Sequence, residues 1–259
     1  MAVLLIVNAD DFGLCEAVNY GIIESHRNGV VHSTSAMMNM PAISHAAKLS
    51  QENPNLAVGM HFVLTAGKPF SSMPTLSRDG LLGKWLWNID INDLPLIEIE
   101  QELNLQYQKF IEIFGQKPSH IDSHHHVHMI EGIFPIVVAF AQEKGIALRV
   151  DRQLEKNWPP LSYQVPSTDC FSSEFYGDQI SEALFLKIIN EAKAQGNNSI
   201  EVMSHPAFID NALLKSNYAY PRLNELEVLT SENLKSQILA DGFKIGSYLD
   251  RLQKKPKFK

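Results

Sequence analysis

The chain has 259 residues, of which 45% are apolar and 20% charged, and a formal net charge of −7. This composition gives enough apolar surface for a sizeable core and excludes a disordered chain. It also excludes nucleic acid as the main partner, because neutralising phosphates needs clustered Lys and Arg, and the one basic cluster is Lys254-Lys255-Pro256-Lys257.

Val3-Leu4-Leu5-Ile6-Val7 reads as a strand buried on both faces, and it runs directly into Asn8-Ala9-Asp10-Asp11-Phe12-Gly13. A carboxylate pair at the carboxyl end of such a strand sits where parallel sheets bind ligands. The same stretch has no Lys or Arg before it and reaches Asp10 too soon for a signal peptide or a membrane span. The expectation is therefore a cytoplasmic protein with no membrane partner. Residues 15–28 carry Val18, Ile22 and Ile23 at helical spacing and stop at Asn28-Gly29, after which Val30 to Met40 reads as strand. A helix near 42–52 leads to the strand Leu56-Ala57-Val58-Gly59-Met60-His61-Phe62, which delivers a histidine at its end. The stretch 66–95 is broken by Gly67, Pro69, Pro74, Asp79-Gly80 and Gly83 and carries Trp85 and Trp87, so it reads as a long loop insertion.

A helix near 96–114 and a short strand near 119–123 follow. Further helices near 132–144, 180–195 and 231–241 then alternate with strands near 146–150, 199–204 and 243–247, and residues 151–178 give no clear pattern. Repeated alternation with polar residues at strand ends predicts an α/β fold, a distorted (β/α) TIM-like barrel formed as one domain over 1–259. The two cysteines, Cys15 and Cys170, offer no disulfide framework and read as small buried residues.

The densest chemical signal is His120-Ile121-Asp122-Ser123-His124-His125-His126-Val127-His128. Such a tract points to a metal, and a carboxylate with imidazoles suits a divalent cation with open positions for water and substrate. In an extended segment adjacent residues point to opposite sides, so not all of these histidines can be ligands. His61 and His205, the latter in Ser204-His205-Pro206-Ala207-Phe208, follow buried strands as Asp10-Asp11 does, and all can converge on one face of a barrel. Arg149 ends another strand, and if buried it requires an anionic partner such as Asp10 or Asp151.

Taken together, Asn8-Ala9-Asp10-Asp11-Phe12-Gly13, Gly59-Met60-His61-Phe62, Asp122-Ser123-His124-His125-His126-Val127-His128 and Ser204-His205-Pro206-Ala207-Phe208 resemble the YdjC-like carbohydrate deacetylases. Gly67-Lys68-Pro69, Arg78-Asp79-Gly80, Leu82-Gly83-Lys84-Trp85, Phe175-Tyr176-Gly177 and Pro221-Arg222-Leu223 extend the resemblance over nearly the whole chain. Ser204 departs from it, where cysteine is expected to be common. The resemblance implies a distorted (β/α) barrel holding magnesium or another divalent metal at the strand carboxyl ends, with Asp11, His61 and His125 as ligands. By analogy with the related polysaccharide deacetylases it implies Asp10 as general base. It further implies a homodimer that removes acetyl groups from short N-acetylglucosamine oligomers such as diacetylchitobiose, in preparation for later catabolic enzymes.

Amide hydrolysis at neutral pH needs an activated water, a base and an acid for the leaving nitrogen. The expected acid is His205, and Arg149 is expected to keep Asp10 ionised and oriented. Zinc would also suit the donor set. Sugars present C–H faces beside hydroxyls, so Trp85, Phe62 and Tyr176 are the expected aromatic contacts, with His126 a further contact to substrate. Two other readings use the same residues. A metal-dependent phosphoesterase would want more basic clamps than Arg149 and Arg152 supply. A non-catalytic sugar sensor would have no need of both Asp10 and Asp11.

Overall fold

The computed structural model describes residues 2–155 and 165–252, and the basic run at 254–257 lies outside the described residues. β1 (Val3–Phe12) is buried at every position. It can be apolar on both sides because its neighbours cover both edges and helices cover the outer face. In chain order it is followed by α1 (Glu16–Asn28), β2 (Ser33–Ala36), α2 (Ile43–Glu52) and β3 (Ala57–Phe62). A small hairpin, β4 (Ser77–Arg78) with β5 (Leu81–Leu82), interrupts the alternation before α3 (Leu96–Phe114) and β6 (His120–Ser123). Next come α4 (Phe134–Lys144), β7 (Ala147–Leu148), α5 (Arg152–Glu155), β8 (Cys170–Ser172), α6 (Glu182–Ala194) and β9 (Ser199–Ser204). The chain closes with α7 (Tyr220–Leu229), α8 (Glu232–Ala240), β10 (Phe243–Gly246) and α9 (Leu249–Leu252).

Among the described residues the main sheet has eight strands in the order β7-β6-β3-β2-β1-β9-β8, with β10 also paired to β1, and its ladders are parallel. β1 is long enough to hold β9 along one edge while its other edge pairs first with β10, through Val3 to Ile6, and then with β2 from Asn8 onward. Among the described residues no ladder joins β7 to β8. The Leu148 N–H instead donates to the Pro166 carbonyl at 2.9 Å, so the curled sheet is a distorted barrel with its seam there.

Local sequence accounts for the element ends. α3 stops at Gly115 and α4 at Gly145, both left-handed (φ 68° and 64°), a conformation that costs glycine little. Ser181 and Ser231 cap α6 and α8 by accepting from the backbone N–H groups of Leu184 and Leu234. One expectation changes, and one helix was not foreseen. The strand expected over 30–40 is confined to Ser33–Ala36, because the chain turns at Met37–Met40. α7 has no apolar stripe in the sequence because its buried face mixes Arg222 and Glu225 with Leu226 and Leu229. The 66–95 insertion is anchored to α3 by the buried Glu102, whose carboxylate accepts from the backbone N–H groups of Phe70 and Ser71.

Candidate active site

Neighbouring side chains on a regular strand point to opposite faces, yet Asp10 and Asp11 both border one cavity of about 570 Å³ at the carboxyl ends of the strands. A bulge makes this possible. Ala9 pairs with Thr34, but the next pairing is Phe12 with Ala36, so β1 carries one extra residue, and Asp11 takes a left-handed backbone at φ 72°. The Gly13 N–H then donates to Asn19 Oδ1 at 2.7 Å, which fixes the turn that follows.

Asp11 is the centre of the upper part of the site. Its Oδ1 lies 3.4 Å from His61 Nε2 and 3.0 Å from His124 Nδ1, and its Oδ2 accepts from Arg222 Nη2 at 2.6 Å. The donor atoms of Asp11, His61 and His124 all lie within 4.8 Å of one another. His61 presents Nε2 because its Nδ1 is tied to Asp122 Oδ1 at 2.8 Å. A carboxylate behind a ligand imidazole is the arrangement that orients metal-binding histidines, so this donor set fits a divalent cation. Burial opposes protonation of His61, but Asp122 and Asp11 outweigh it and raise its pKa to about 10 in the protein without an ion. A second group, Asp10, His61 and Asp122, also converges, but Arg149 already bridges its carboxylates, at 2.7 Å from Asp10 and 2.9 Å from Asp122.

The family resemblance implied His125 as the third ligand, whereas the structure brings His124 to Asp11 and His61. The histidine tract is not extended. It leaves β6 as a tight 3₁₀ turn over His124–Met129, with left-handed backbone at His125 and His126 (φ 57° and 56°). The first residue after the strand therefore meets Asp11, while His125 places Nδ1 2.9 Å from Thr65 Oγ1 and sets its ring against Trp87. Because the chain kinks through left-handed backbone at His125 and His126 instead of staying extended, His124, His125 and His126 all border the cavity, which alternation would forbid. His120 and His128 point elsewhere: His120 stacks on Tyr248 inside the barrel, and His128 Nε2 lies 3.1 Å from the Arg149 carbonyl.

Beneath Asp11 lies a buried charge network. Arg149 donates through Nη1 to Asp10 Oδ2 and through Nη2 to Asp10 Oδ1, both at 2.7 Å, and through Nε to Glu201 Oε1 at 2.9 Å. Of the two expected anionic partners it is Asp10 that the structure pairs with Arg149, together with Asp122 and Glu201. Burial pushes the Asp10 pKa up, but the Arg149 guanidinium more than offsets this and holds it below the usual carboxylate range. Glu201, also hydrogen-bonded by the Tyr248 hydroxyl, is pushed up to about 7 by burial.

His205 borders the cavity from the end of β9. It is buried, its backbone N–H donates to Glu225, and its Nδ1 has no hydrogen-bond partner among the described residues. Burial, with Arg222 adding to it, lowers its pKa to about 3. Tyr176, 48% exposed, stacks on Tyr218 at 3.9 Å between ring centroids, and both border the cavity. His126 borders it with Nδ1 buried and unpartnered among the described residues.

Two expected aromatic contacts lie elsewhere. Phe62 is a fully buried core residue because β3 is covered on both faces. Trp85 donates its Nε1–H to the Leu76 carbonyl and packs under Arg78, so it braces the insertion, and the exposed Trp87 is the indole that reaches His125. Sequence reasoning missed Glu225 and Tyr218, for which no local pattern existed, and gave Arg222 no role although Pro221-Arg222-Leu223 belongs to the family resemblance. It gave Asp122 no role of its own, although its position one residue before the strand end was a usable signal.

The sequence profile described as YdjC-like protein matches residues 4–240. The chain belongs to the YdjC-like family. This YdjC-like chain is 59% identical over 248 residues to the chitooligosaccharide deacetylases of Salmonella heidelberg (strain SL476) and Salmonella agona (strain SL483), covering 95% of this chain and 98% of each relative. Among solved structures, an Enterococcus faecalis V583 protein assigned to cellobiose-phosphate cleavage superposes with a TM-score of 0.90 at 32% identity, over 96% of this chain and 99% of that one. A polysaccharide deacetylase of Bacillus cereus, at a TM-score of 0.50 and 12% identity over 95% of this chain and 92% of that one, shares the fold alone.

Proposed function

We propose that this YdjC-like protein is a metal-dependent N-deacetylase that removes an acetyl group, as acetate, from short N-acetylglucosamine oligomers such as diacetylchitobiose. One observation carries the reading: two adjacent carboxylates enter one cavity in different states of engagement. Asp11 joins His61 and His124 in a donor set suited to a cation, while Asp10 is kept ionised by Arg149 and remains available as a base. The high identity to chitooligosaccharide deacetylases supports the substrate class.

Asp11, His61 and His124 would hold a divalent ion, which supplies a lowered pKa for water and polarisation of the acetyl carbonyl. Magnesium is the proposed resident ion, and the two imidazoles also accept zinc. The remaining steps belong to the chain's own residues. Asp10 takes the proton of the attacking water, and Arg149 fixes its orientation and its charge. His205 delivers a proton to the departing nitrogen. Neutral at rest, it takes up a proton from solvent as negative charge develops beside it, and this is the proton it delivers. His126 and the Tyr176–Tyr218 stack border the space where the sugar rings would lie, Trp87 packs behind on His125, and the stack offers a flat face to the C–H surfaces of the sugar. Action in the cytoplasm as a homodimer belongs to the same reading. Among the described residues no helix is long and apolar enough to cross a membrane.

The test is to incubate the metal-loaded protein and its Asp10→Asn variant with diacetylchitobiose and to follow the mass of the sugar. Wild type should remove one acetyl group, and Asp10→Asn should be slower by about 10²–10⁴-fold, the usual contribution of a general base. Sugar binding with no loss of acetyl would point to a sensor. Phosphate release from generic esters in place of acetate would point to a phosphoesterase.

A further inference from the structure

We propose that Arg222 is a catalytic residue of this deacetylation: its free N–H donates to the acetyl oxygen as that oxygen becomes an oxyanion, and the same guanidinium then holds the acetate product. This rests on the deacetylase reading and adds to it a group that neither the sequence nor the family resemblance had given a role.

Arg222 is 5% exposed, yet it borders the cavity together with Asp11, His124 and His205. Its Nε donates to the Tyr218 carbonyl at 2.9 Å, and its Nη2 to Asp11 Oδ2 at 2.6 Å. Nη1 is buried and has no hydrogen-bond partner among the described residues. A buried donor left unpaired is costly, and most such groups in folded proteins are satisfied by something. Arg222 lines the cavity, so a ligand bound there is the candidate to do so. The other buried guanidinium cannot take this part, because Arg149 spends Nε, Nη1 and Nη2 on Glu201, Asp10 and Asp122.

Charge selects the kind of ligand. Asp11 is the carboxylate bonded to Arg222, with Glu225 a weaker second attraction, and a carboxylate that also faces a cation compensates it less. The guanidinium then favours a further anion beside it, and its planar fork suits a carboxylate. The reaction produces such anions in sequence. Water oxygen bonds to the acetyl carbon, the carbonyl π pair moves onto oxygen beside Nη1, and the water proton passes to Asp10. The carbonyl re-forms as the C–N bond breaks, and His205, protonated from solvent as the oxyanion forms, gives that proton to nitrogen. The acetyl fragment sheds its hydroxyl proton to solvent and leaves as acetate, while Asp10 returns its proton to solvent. Arg222 exchanges no proton. Its hydrogen bond strengthens as charge builds, which is the condition for lowering a barrier rather than for tightening substrate binding.

Arg222→Lys keeps a positive charge opposite Asp11 and removes the fork. Diacetylchitobiose kinetics, divalent-ion affinity and inhibition by acetate should be measured on wild type and this variant. The expected result is a fall in kcat of about 10²–10³-fold, the size seen when one oxyanion donor is removed, with KM and ion affinity little changed and acetate inhibition weakened. A loss of kcat that only tracks a loss of ion affinity would overturn the proposal and leave Arg222 as a positioning residue for Asp11. Should the variant fail to fold, crystals of the metal-loaded wild type soaked in acetate decide instead. Acetate oxygen within hydrogen-bond distance of Nη1 supports the role, and acetate bound away from Arg222, or not bound, overturns it. Absence of acetate release by wild type would sink the deacetylase reading itself and is thereby distinguishable.

Discussion

At the scale of single residues, the site depends on two local breaks in regular backbone. The bulge at Asp10-Asp11 turns adjacent carboxylates into one cavity, and the left-handed turn after β6 selects among identical side chains. Residue type was enough to find the doublet, His61 and the histidine tract, since each stands at the end of an apolar strand. It could not say which imidazole meets Asp11, because that depends on φ at His125 and His126, which no side chain announces. Glu225 was invisible, and Arg222, though part of the Pro221-Arg222-Leu223 motif, was given no role, for another reason: charged residues on a polar-looking helix read as solvated. The geometry predicts that His124→Ala largely abolishes divalent-ion binding in a calorimetric titration, while His125→Ala weakens it much less. The reverse order would return the ligand role to His125. Asp122→Asn should weaken ion binding by about 10–100-fold, since it removes the group that fixes the His61 ring. Unchanged affinity would show that His61 is oriented by something else.

At the scale of elements, the buried parallel strands were legible because strands covered on both faces read as continuous apolar runs, and β1, β3 and β9 fell close to where those runs lie. β2 was overextended because apolar residues continue through the turn that follows it. Close packing between strands explains a constraint that the pattern alone does not reveal. A Cβ built on Gly59 in β3 would lie 2.3 Å from His120 Cε1, whose ring is wedged against Tyr248. Gly59→Ala should therefore destabilise the protein by about 1–3 kcal/mol, as overpacking of a tight core does, even though alanine suits a strand no less than glycine. Urea unfolding checks this. A change within the error of the measurement would mean that the His120 ring shifts at no cost.

At the scale of the whole molecule, the barrel interior holds an unusual load of ionisable groups, and their shifts give the ion-free protein a definite pH profile. Burial lowers His120 and His126 to about 4 and His128 and His205 to about 3, against 6.5 unfolded. The unfolded chain binds more protons in that window, so stability rises with pH up to about 6.5. Glu201 and Glu225 act the other way, held up at about 7 and 8 against 4.5 unfolded. Their contribution falls as pH rises through that range. His61, raised to about 10, adds stability that is fully present below 6.5 and is lost as pH climbs towards 10. Thermal unfolding in a chelator should show greatest stability near pH 6.5, and a melting temperature still rising at pH 9 would contradict this balance. The central claim is that one divalent ion on Asp11, His61 and His124 makes the cavity a deacetylase. Its most direct test is acetate release from diacetylchitobiose by chelator-stripped protein as a divalent ion is added back. The account predicts no acetate without the ion, activity that saturates at one ion per chain, and no recovery in His124→Ala. Full acetate release by the stripped protein, or none with any divalent ion, would contradict it.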